Sequence, residues 1–234
     1  MSEGSEFDGR TVVVTGGTGA LGTAVVKLLL ERGARLRVPC FDAGEYERCE
    51  FRDREAAQLV YPVDLTDDVA VREFYADGGA VWASIHIAGG FAFTPLAEVD
   101  SAAVDQQMRM NTTTSLLCCR EAAAHMQGGG RIVNVSARPA LDPRQGACLS
   151  PYVIAKAGVA ALTQALASEL LAQDILVNAI APSVIDSPAN RAAMAEADFA
   201  TWVKPADAAE VVGFFASPRN RVVSGAVVPV YGKA

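Results

Sequence analysis

The sequence predicts an α/β fold: a doubly wound, seven-stranded parallel sheet with helices on both faces, in three α/β/α layers. Three observations carry that prediction. A β-branched run, Thr11 to Thr15, is followed at once by a glycine-rich turn, Gly16 to Gly22, and then by apolar, helix-compatible Ala24 to Leu30. Short apolar runs and helix-length segments alternate from there to the end of the chain, as a parallel sheet with crossover helices requires. Hydrophobic residues make up 51% of the 234, ample for one core, and no repeat, linker or low-complexity stretch divides them. Residues 1–234 are therefore read as one domain.

In chain order, residues 1–9 read as a short, loosely held lead-in, acidic and polar rather than a signal peptide. The first strand and the glycine turn follow. The first helix is expected to end near Arg32-Gly33, with the glycine as its punctuation. Ala34 to Cys40 is a second strand. Residues 42–58, dense in charge, read as a loop with a short exposed helix. Leu59 to Val63 is a third strand, ended by Asp64; Thr66 then caps a helix over Asp67 to Ala76. Val81 to Ala88 is a fourth strand, closed by Gly89-Gly90. Leu96 to about Met126 reads as mainly helical, stopped by Gly128-Gly129-Gly130. Arg131 to Ser136 is a fifth strand and residues 138–150 a loop. Pro151 opens an alanine-rich helix, Tyr152 to Ala172, whose small residues permit close approach of another helix. Ile175 to Ile180 is a sixth strand, 182–203 an irregular or partly helical insertion, Pro205 to Ala216 a helix, and Ala226 to Val230 the last strand.

Composition excludes several functions. A net charge of −7 argues against nucleic-acid partners and against attraction to anionic lipid. No apolar run reaches about 18 residues, so no membrane span is expected. Five cysteines show no metal or disulfide spacing, which fits the reduced cytoplasm, and with only His86 and His125 no metal site is expected.

The chemistry resides in two places. Gly17, Gly19 and Gly22 fit the G-x-G-x-x-G spacing between a strand and a helix, where glycines admit a pyrophosphate and the helix N-terminus meets its charge. Tyr152 and Lys156, four apart, share one face of a helix. Alone that pair is a weak signal. It follows a strand ending in Ser136, however, and ligands of doubly wound sheets bind beyond the carboxyl ends of the strands.

These pieces closely resemble the short-chain dehydrogenase/reductase family, in its single-domain branch. The resemblance runs from about Arg10 to Gly232. It rests on Thr15 to Gly22, Asp64-Leu65, Ala88-Gly89, Asn111, Ser136, Tyr152-x-x-x-Lys156, Asn178-Ala179, Pro182 and a Gly225…Gly232 ending, in family order and at roughly family spacing. It implies a Rossmann fold and hydride transfer between a nicotinamide cofactor and a small carbonyl or alcohol. It also implies a catalytic group of Asn111, Ser136, Tyr152 and Lys156. Tyr152 is then the general acid in reduction and the base in oxidation. A free tyrosine titrates at about 10, so the Lys156 ammonium and the oxidised nicotinamide are expected to lower that value. Lys156 also holds the nicotinamide ribose, Ser136 bonds the substrate oxygen, and Asn111 anchors a water that relays protons to Lys156. The cofactor residues implied are Gly16, Gly17, Thr18, Gly19, Ala20, Leu21, Gly22, Asp64, Leu65, Ala88, Gly89, Gly90, Tyr152, Lys156, Pro182, Ser183, Ile185 and Ser187. Asp64 is either a turn acid or the acid facing the adenine amino group.

Four departures from the family pattern stand out. Ala20 occupies the usual middle glycine, with Gly19 one place earlier. The usual Asn-Asn-Ala-Gly is His86-Ile87-Ala88-Gly89, and His86 reads as a satisfied strand histidine that substitutes for a bracing asparagine. The usual Pro-Gly is Pro182-Ser183, with Ser187 in place of a threonine. Finally, Cys40 and Phe41 stand where an acid or a base would select between NAD and NADP. No phosphate-binding cation is well placed and Asp42 is near, so the reading leans to NAD. The substrate walls are expected to be Gly90-Phe91-Ala92-Phe93, the 138–150 loop with Arg138 and Arg144, and a lid over residues 183–203 with Met194, Phe199 and Trp202. A homo-oligomer, dimer or tetramer, is expected through the alanine-rich helix. The competing reading is a catalytically weak NAD(P)-binding sensor or scaffold of the same fold, and epimerisation or dehydration on the same cofactor is a third. The intact Ser136, Tyr152 and Lys156 favour the oxidoreductase.

Overall fold

The computed structural model of the chain describes residues 5–233. In order it contains β1 (Thr11–Thr15), α1 (Ala20–Glu31), β2 (Arg35–Pro39), α2 (Ala43–Arg48), β3 (Ala57–Val60), α3 (Asp68–Ala76), β4 (Ala83–His86), α4 (Ser101–Gln107), α5 (Thr114–His125), β5 (Gly130–Val135), α6 (Arg138–Leu141), α7 (Ser150–Glu169), β6 (Ile175–Pro182), α8 (Pro188–Ala193), α9 (Pro205–Ala216) and β7 (Val227–Val230). The seven strands form one sheet in the order β3-β2-β1-β4-β5-β6-β7, and every neighbouring pair is parallel. The order reverses between β1 and β4. That switch point leaves a crevice at the carboxyl ends of the strands, directly beyond the glycine turn.

Two apolar layers hold the sheet. On one side Val25, Val26 and Leu29 of α1 and Ala208, Val212 and Phe215 of α9 pack on Val12, Val14 and Ile85. On the other, Val71 and Phe74 of α3, Cys118 and Ala122 of α5 and Ala167 of α7 pack on Val13, Ile132 and Val177. Alternate residues of one strand thus serve opposite layers, as the pleat requires.

Several elements differ from the sequence expectation for identifiable reasons. The lead-in is docked from Ser5 onward: Phe7 is fully buried and its N–H donates to the Arg32 carbonyl (3.0 Å), while residues 1–4 lie outside the described residues. The third strand begins two residues early, at Ala57, and ends three early, at Val60, because Pro62 has no N–H to continue the ladder beside Cys40. Asp67, not Thr66, caps α3, accepting from Val69 and Ala70. The stretch expected to be one helix from Leu96 is broken. A single 3₁₀ turn, Leu96–Glu98, precedes Asp100, which caps α4, and a π-helical turn, Met108–Thr113, separates α4 from α5. The 138–150 loop contains the short α6, and β6 continues two residues beyond its expected end, to Pro182.

Candidate active site

The glycine turn is shaped by contacts that no side chain fits. Gly16 has φ +66°, the left-handed region, and an added Cβ would lie 2.7 Å from the Ala88 backbone nitrogen. At Gly22 an added Cβ would overlap the Gly16 carbonyl oxygen, so this glycine lets α1 begin hard against the turn. Gly17 is tight for a third reason, 2.7 Å from Val38 Cγ1. Gly19 has only one contact, at 3.5 Å, and serves as the N-cap of α1 without a side-chain bond. The sterically required glycines are therefore 16, 17 and 22, and the Gly19-Ala20 departure has no steric consequence. The first N–H groups of α1 face the crevice unbonded by a capping side chain, which suits a pyrophosphate.

Beyond the turn lies a cavity of about 470 Å³. Of the expected cofactor residues, Gly16, Thr18, Gly19, Ala20, Leu21, Gly22, Asp64, Leu65, Ala88 and Gly89 line it; Pro39, Cys40, Phe41, Asp42 and Glu45 form its far wall. Glu45 is the residue that the sequence reading did not single out. Thr18 Oγ1 donates to its Oε2 at 2.6 Å, joining the glycine turn to α2 across the cavity mouth. Asp42 caps α2, accepting from the Glu45 N–H at 2.8 Å, so Asp42-x-x-Glu45 carries the helix-start signature that would have flagged it. Asp64 is a turn acid on one oxygen: Oδ1 accepts from the N–H and the hydroxyl of Thr66, both at 2.8 Å. These residues fit a dinucleotide: a glycine cradle that a Cβ would fill, a helix start, and acids where ribose hydroxyls need acceptors.

The second half of the site is built on β5 and α7. Ser136 follows β5, and its hydroxyl donates to the Lys156 carbonyl at 2.9 Å. The Lys156 ammonium donates to the Val135 carbonyl at 2.9 Å. Together these bonds clamp α7 to the carboxyl end of β5 and set Tyr152, one turn earlier, beyond that edge. Burial pushes Lys156 down to about 8 and Tyr152 up to about 12. The lowered Tyr152 expected from the sequence is thus not produced by the chain alone, because the Lys156 charge is directed at Val135 rather than at the phenol. Phe91 lies edge-on to the Tyr152 ring, centroids 5.1 Å apart, yet is 64% exposed.

Asn111 stands in the π-helical turn, fully buried. Its Oδ1 accepts from the Gly90 N–H (3.2 Å) and its Nδ2 donates to the carbonyls of Gly90 and Gln107 (both 3.0 Å). Both amide hydrogens are used, so a water on this side chain would need the remaining lone pair of Oδ1. Gly89 brings that oxygen near Lys156, since its Cβ position lies 2.5 Å from Asn111 Oδ1 and 3.3 Å from Lys156 Nζ. His86 is a braced strand residue. Its Nδ1 meets Asn134 Oδ1 and its Nε2 meets Ser84 Oγ, each at 2.8 Å. The Asn134 oxygen can only accept, so Nδ1 carries the hydrogen and the Ser84 hydroxyl donates to Nε2. Burial pushes His86 down to about 4, which keeps it neutral.

Pro182, Ser183, Ile185 and Ser187 lie apart from the glycine-turn cavity, at the end of β6 and the start of the 183–203 segment. Ser183 Oγ donates to the Tyr231 carbonyl (3.2 Å), and Ser187 Oγ caps α8 by accepting from the Asn190 N–H (3.2 Å). Of the expected substrate walls, Phe91, Phe93 and Met194 are exposed, whereas Trp202 is buried against Phe199 and packs its own segment. Arg144 projects into solvent beside Asp142, while Arg138 stacks over Tyr231, its guanidinium carbon 4.8 Å from the ring centroid.

Comparison with known proteins agrees with this geometry. A family described as Enoyl-(Acyl carrier protein) reductase matches residues 17–232. The cis-4-hydroxycyclohexanecarboxylate dehydrogenase of Sinomonas cyclohexanicum is 34% identical, covering 98% of each chain. The 2,5-dichloro-2,5-cyclohexadiene-1,4-diol dehydrogenase of Sphingobium indicum is 31% identical, covering 81% of this chain and 78% of its own. Among solved structures, a blue fluorescent protein from a metagenomic library, in complex with NADPH, superposes with a TM-score of 0.87 at 27% identity, covering 98% of this chain and 99% of the other.

Proposed function

Because the chain belongs to the short-chain dehydrogenase/reductase family, whose members oxidise and reduce small alcohols and carbonyls with NAD(P), we propose that this NAD(P)-dependent oxidoreductase interconverts a secondary alcohol on a six-membered carbon ring and its ketone, with Tyr152 as general acid and base. The observation that carries the reading is the double clamp between α7 and β5, Ser136 to Lys156 and Lys156 to Val135, which sets Tyr152 at the open edge of the sheet. The two relatives above are both named for hydroxylated six-membered rings, and Phe91 beside Tyr152 offers such a ring an apolar wall.

In this reading the nicotinamide supplies or accepts the hydride when bound, and the chain positions the alcohol carbon and handles the proton. Tyr152 donates its phenolic hydrogen to the carbonyl oxygen in reduction and takes the hydroxyl proton in oxidation. Lys156, turned from the Val135 carbonyl toward the ribose, lowers the energy of the phenolate. Ser136, turned from the Lys156 carbonyl, holds the substrate oxygen. Asn111 fixes Gly90 and bounds the place for a relay water beside Lys156. Gly16 to Gly22, Asp64 and Ala88 to Gly90 hold the rest of the cofactor. NAD is the preferred form, because Asp42 and Glu45 at the ribose end oppose a further phosphate.

The remaining parts of the reading concern assembly and surroundings. The 183–203 segment serves as the substrate lid, and α7 as the face of a homo-oligomer, dimer or tetramer. Five free cysteines support a reducing compartment, the cytoplasm. Among the described residues no helix is long and apolar enough to cross a membrane. The test is to follow nicotinamide absorbance with cyclohexanols, linear secondary alcohols and polyols. Preference for the ring alcohols, lost in Tyr152→Phe, supports the reading; equal turnover of linear alcohols, or activity retained in that variant, overturns it.

A further inference from the structure

Arg138 is a half-buried cation at the catalytic edge that has no anionic partner among the described residues. It lies two residues after Ser136 and opens α6. Its Nε is buried and unbonded, and among the described residues neither the terminal nitrogens nor Nε reach a hydrogen-bond acceptor or a carboxylate. Arg37, whose Nε is also unbonded, differs: its terminal nitrogens bond Gln58, the Phe74 carbonyl and Asp77. Arg144, six residues on, pairs with Asp142 and is 91% exposed. In a chain of net charge −7, acids are plentiful, yet none is set against Arg138. A buried Nε–H without an acceptor is costly, and native chains retain such groups chiefly where something else supplies the acceptor.

Its position shows what that acceptor faces. The guanidinium carbon lies over the Tyr231 ring, and the Tyr231 carbonyl is tied to Ser183 at the start of the proposed lid. Pro139, the next residue after Arg138, and Val153, the next after Tyr152, both flank Gly146. Arg138 therefore stands between the lid and the helix that carries Tyr152, on the β5–β7 side of the sheet. The glycine turn and its cavity lie at β1, at the other side of the switch point.

We propose that Arg138 receives a carboxylate carried by the substrate, so that the substrates are small hydroxy acids and the corresponding oxo acids. The alcohol carbon meets Tyr152 and the carboxylate meets the terminal nitrogens of Arg138, whose planar fork matches it in two parallel bonds. The Tyr231 ring beneath the guanidinium carbon holds that group in place beforehand. This rests on the reading of Tyr152 as the acid–base group, and it deepens that reading by naming the anionic end of the substrate.

The test separates binding from turnover. Cyclohexanecarboxylate, which has no alcohol to oxidise, is titrated calorimetrically into the full chain with NADH present, against cyclohexanecarboxamide. The carboxylate is expected to bind about 10- to 100-fold tighter. Arg138→Met, which keeps the stem on Tyr231, removes that difference; Arg138→Lys keeps part of it; NADH affinity and melting temperature stay the same. In kinetics, the ratio of kcat/KM for cis-4-hydroxycyclohexanecarboxylate over cyclohexanol falls in Arg138→Met, through KM. Equal binding of acid and amide, or retained acid binding in Arg138→Met, overturns the proposal. Loss of NADH affinity assigns the guanidinium to a cofactor phosphate instead, and a parallel fall for acid and neutral alcohol makes it structural. Carboxylate binding without turnover of any ring alcohol would sink the ring-alcohol reading and leave Arg138 standing.

Discussion

The two halves of the crevice are built from different materials. The β1 half is made by main chain. Gly16, Gly17 and Gly22 fit because a side chain would collide with Ala88, Val38 or the Gly16 carbonyl, so that half exists as soon as the backbone folds. The β5–β7 half is made by side chains, and several of them bond to the protein's own backbone: Ser136 to Lys156, Lys156 to Val135, Ser183 to Tyr231. Ser136 and Ser183 must give up these bonds to donate to a ligand, whereas the Lys156 ammonium has two further N–H groups to offer. In the proposed reading, a cradle for a part common to all NAD(P) cofactors is fixed by sterics, and an edge for a variable substrate is held by bonds that can be exchanged.

The comparison breaks first at Tyr152. Tyr152→Phe keeps the ring against Phe91 and removes only the hydroxyl. The expected loss is about 10²–10⁴ in kcat, the range of general acid–base catalysis, with NADH affinity unchanged by fluorescence titration. A variant that also loses cofactor would mean that the two halves are not separable. Next comes the glycine turn. Gly22→Ala drives a methyl into the Gly16 carbonyl and is expected to cost about 2–4 kcal/mol of unfolding free energy and most NADH binding. Gly19→Ala, at a position with room, is expected to cost about 1 kcal/mol or less, measured by urea unfolding. Equal damage at both would refute the steric account of the cradle.

The same difference explains what the sequence disclosed. Strand, turn and helix around Gly16 to Gly22 were legible because backbone geometry admits so few residue types there. Tyr152, Lys156 and Ser136 were legible because a four-residue spacing and a strand end place them. Gly19 was over-weighted, since spacing alone does not say which glycine is crowded. Glu45 was missed because its partner, Thr18, is 27 residues earlier and only the fold brings them together. Phe7 was read as loose because a lone aromatic in a polar stretch carries no periodicity. The π-helical turn at Asn111 depends on hydrogen-bond register, which composition does not encode. Arg138 was one of two loop arginines until the structure paired the other with Asp142 and stacked this one over Tyr231.

His86 joins the halves, since β4 lies between β1 and β5. Its ring is neutral in the fold, pushed down to about 4 from 6.5 by burial. Between those values the unfolded chain takes up a proton that the folded chain refuses. Stability is therefore full above about pH 6.5 and declines as pH falls toward 4, by up to about 3 kcal/mol from this group. Carboxylates also titrate there, so the measurement is a difference. Urea unfolding of His86→Asn against the parent is expected to show a gap smaller by about 2–3 kcal/mol near pH 4.5 than near pH 7.5. A gap independent of pH would mean that His86 titrates alike in the folded and unfolded chain, and a gap that widens as pH falls would mean that the ring is charged in the fold and donates through Nε2 to Ser84.

The smallest expected effect falls at the boundary of the main-chain half, where side chains reappear. In the proposed reading the glycine cradle accepts the pyrophosphate of either cofactor and only the ribose end distinguishes them; Glu45, held to Thr18, and Asp42, the cap of α2, are the acids proposed for that end. A phosphate on that ribose would bring about two negative charges toward two carboxylates near the protein surface, where each close pair is worth about 1 kcal/mol or somewhat more. Glu45→Gln keeps an acceptor for Thr18 and removes one charge. The expected outcome is a rise of about tenfold in NADPH affinity relative to NADH, read by fluorescence titration at low ionic strength and reduced by added salt. Asp42→Asn should act in the same direction but less, because its Oδ1 already accepts from the Glu45 N–H. If NADPH binds the parent as tightly as NADH, selection at this end is not electrostatic, and the acids of α2 serve only to cap the helix and tie it to the turn.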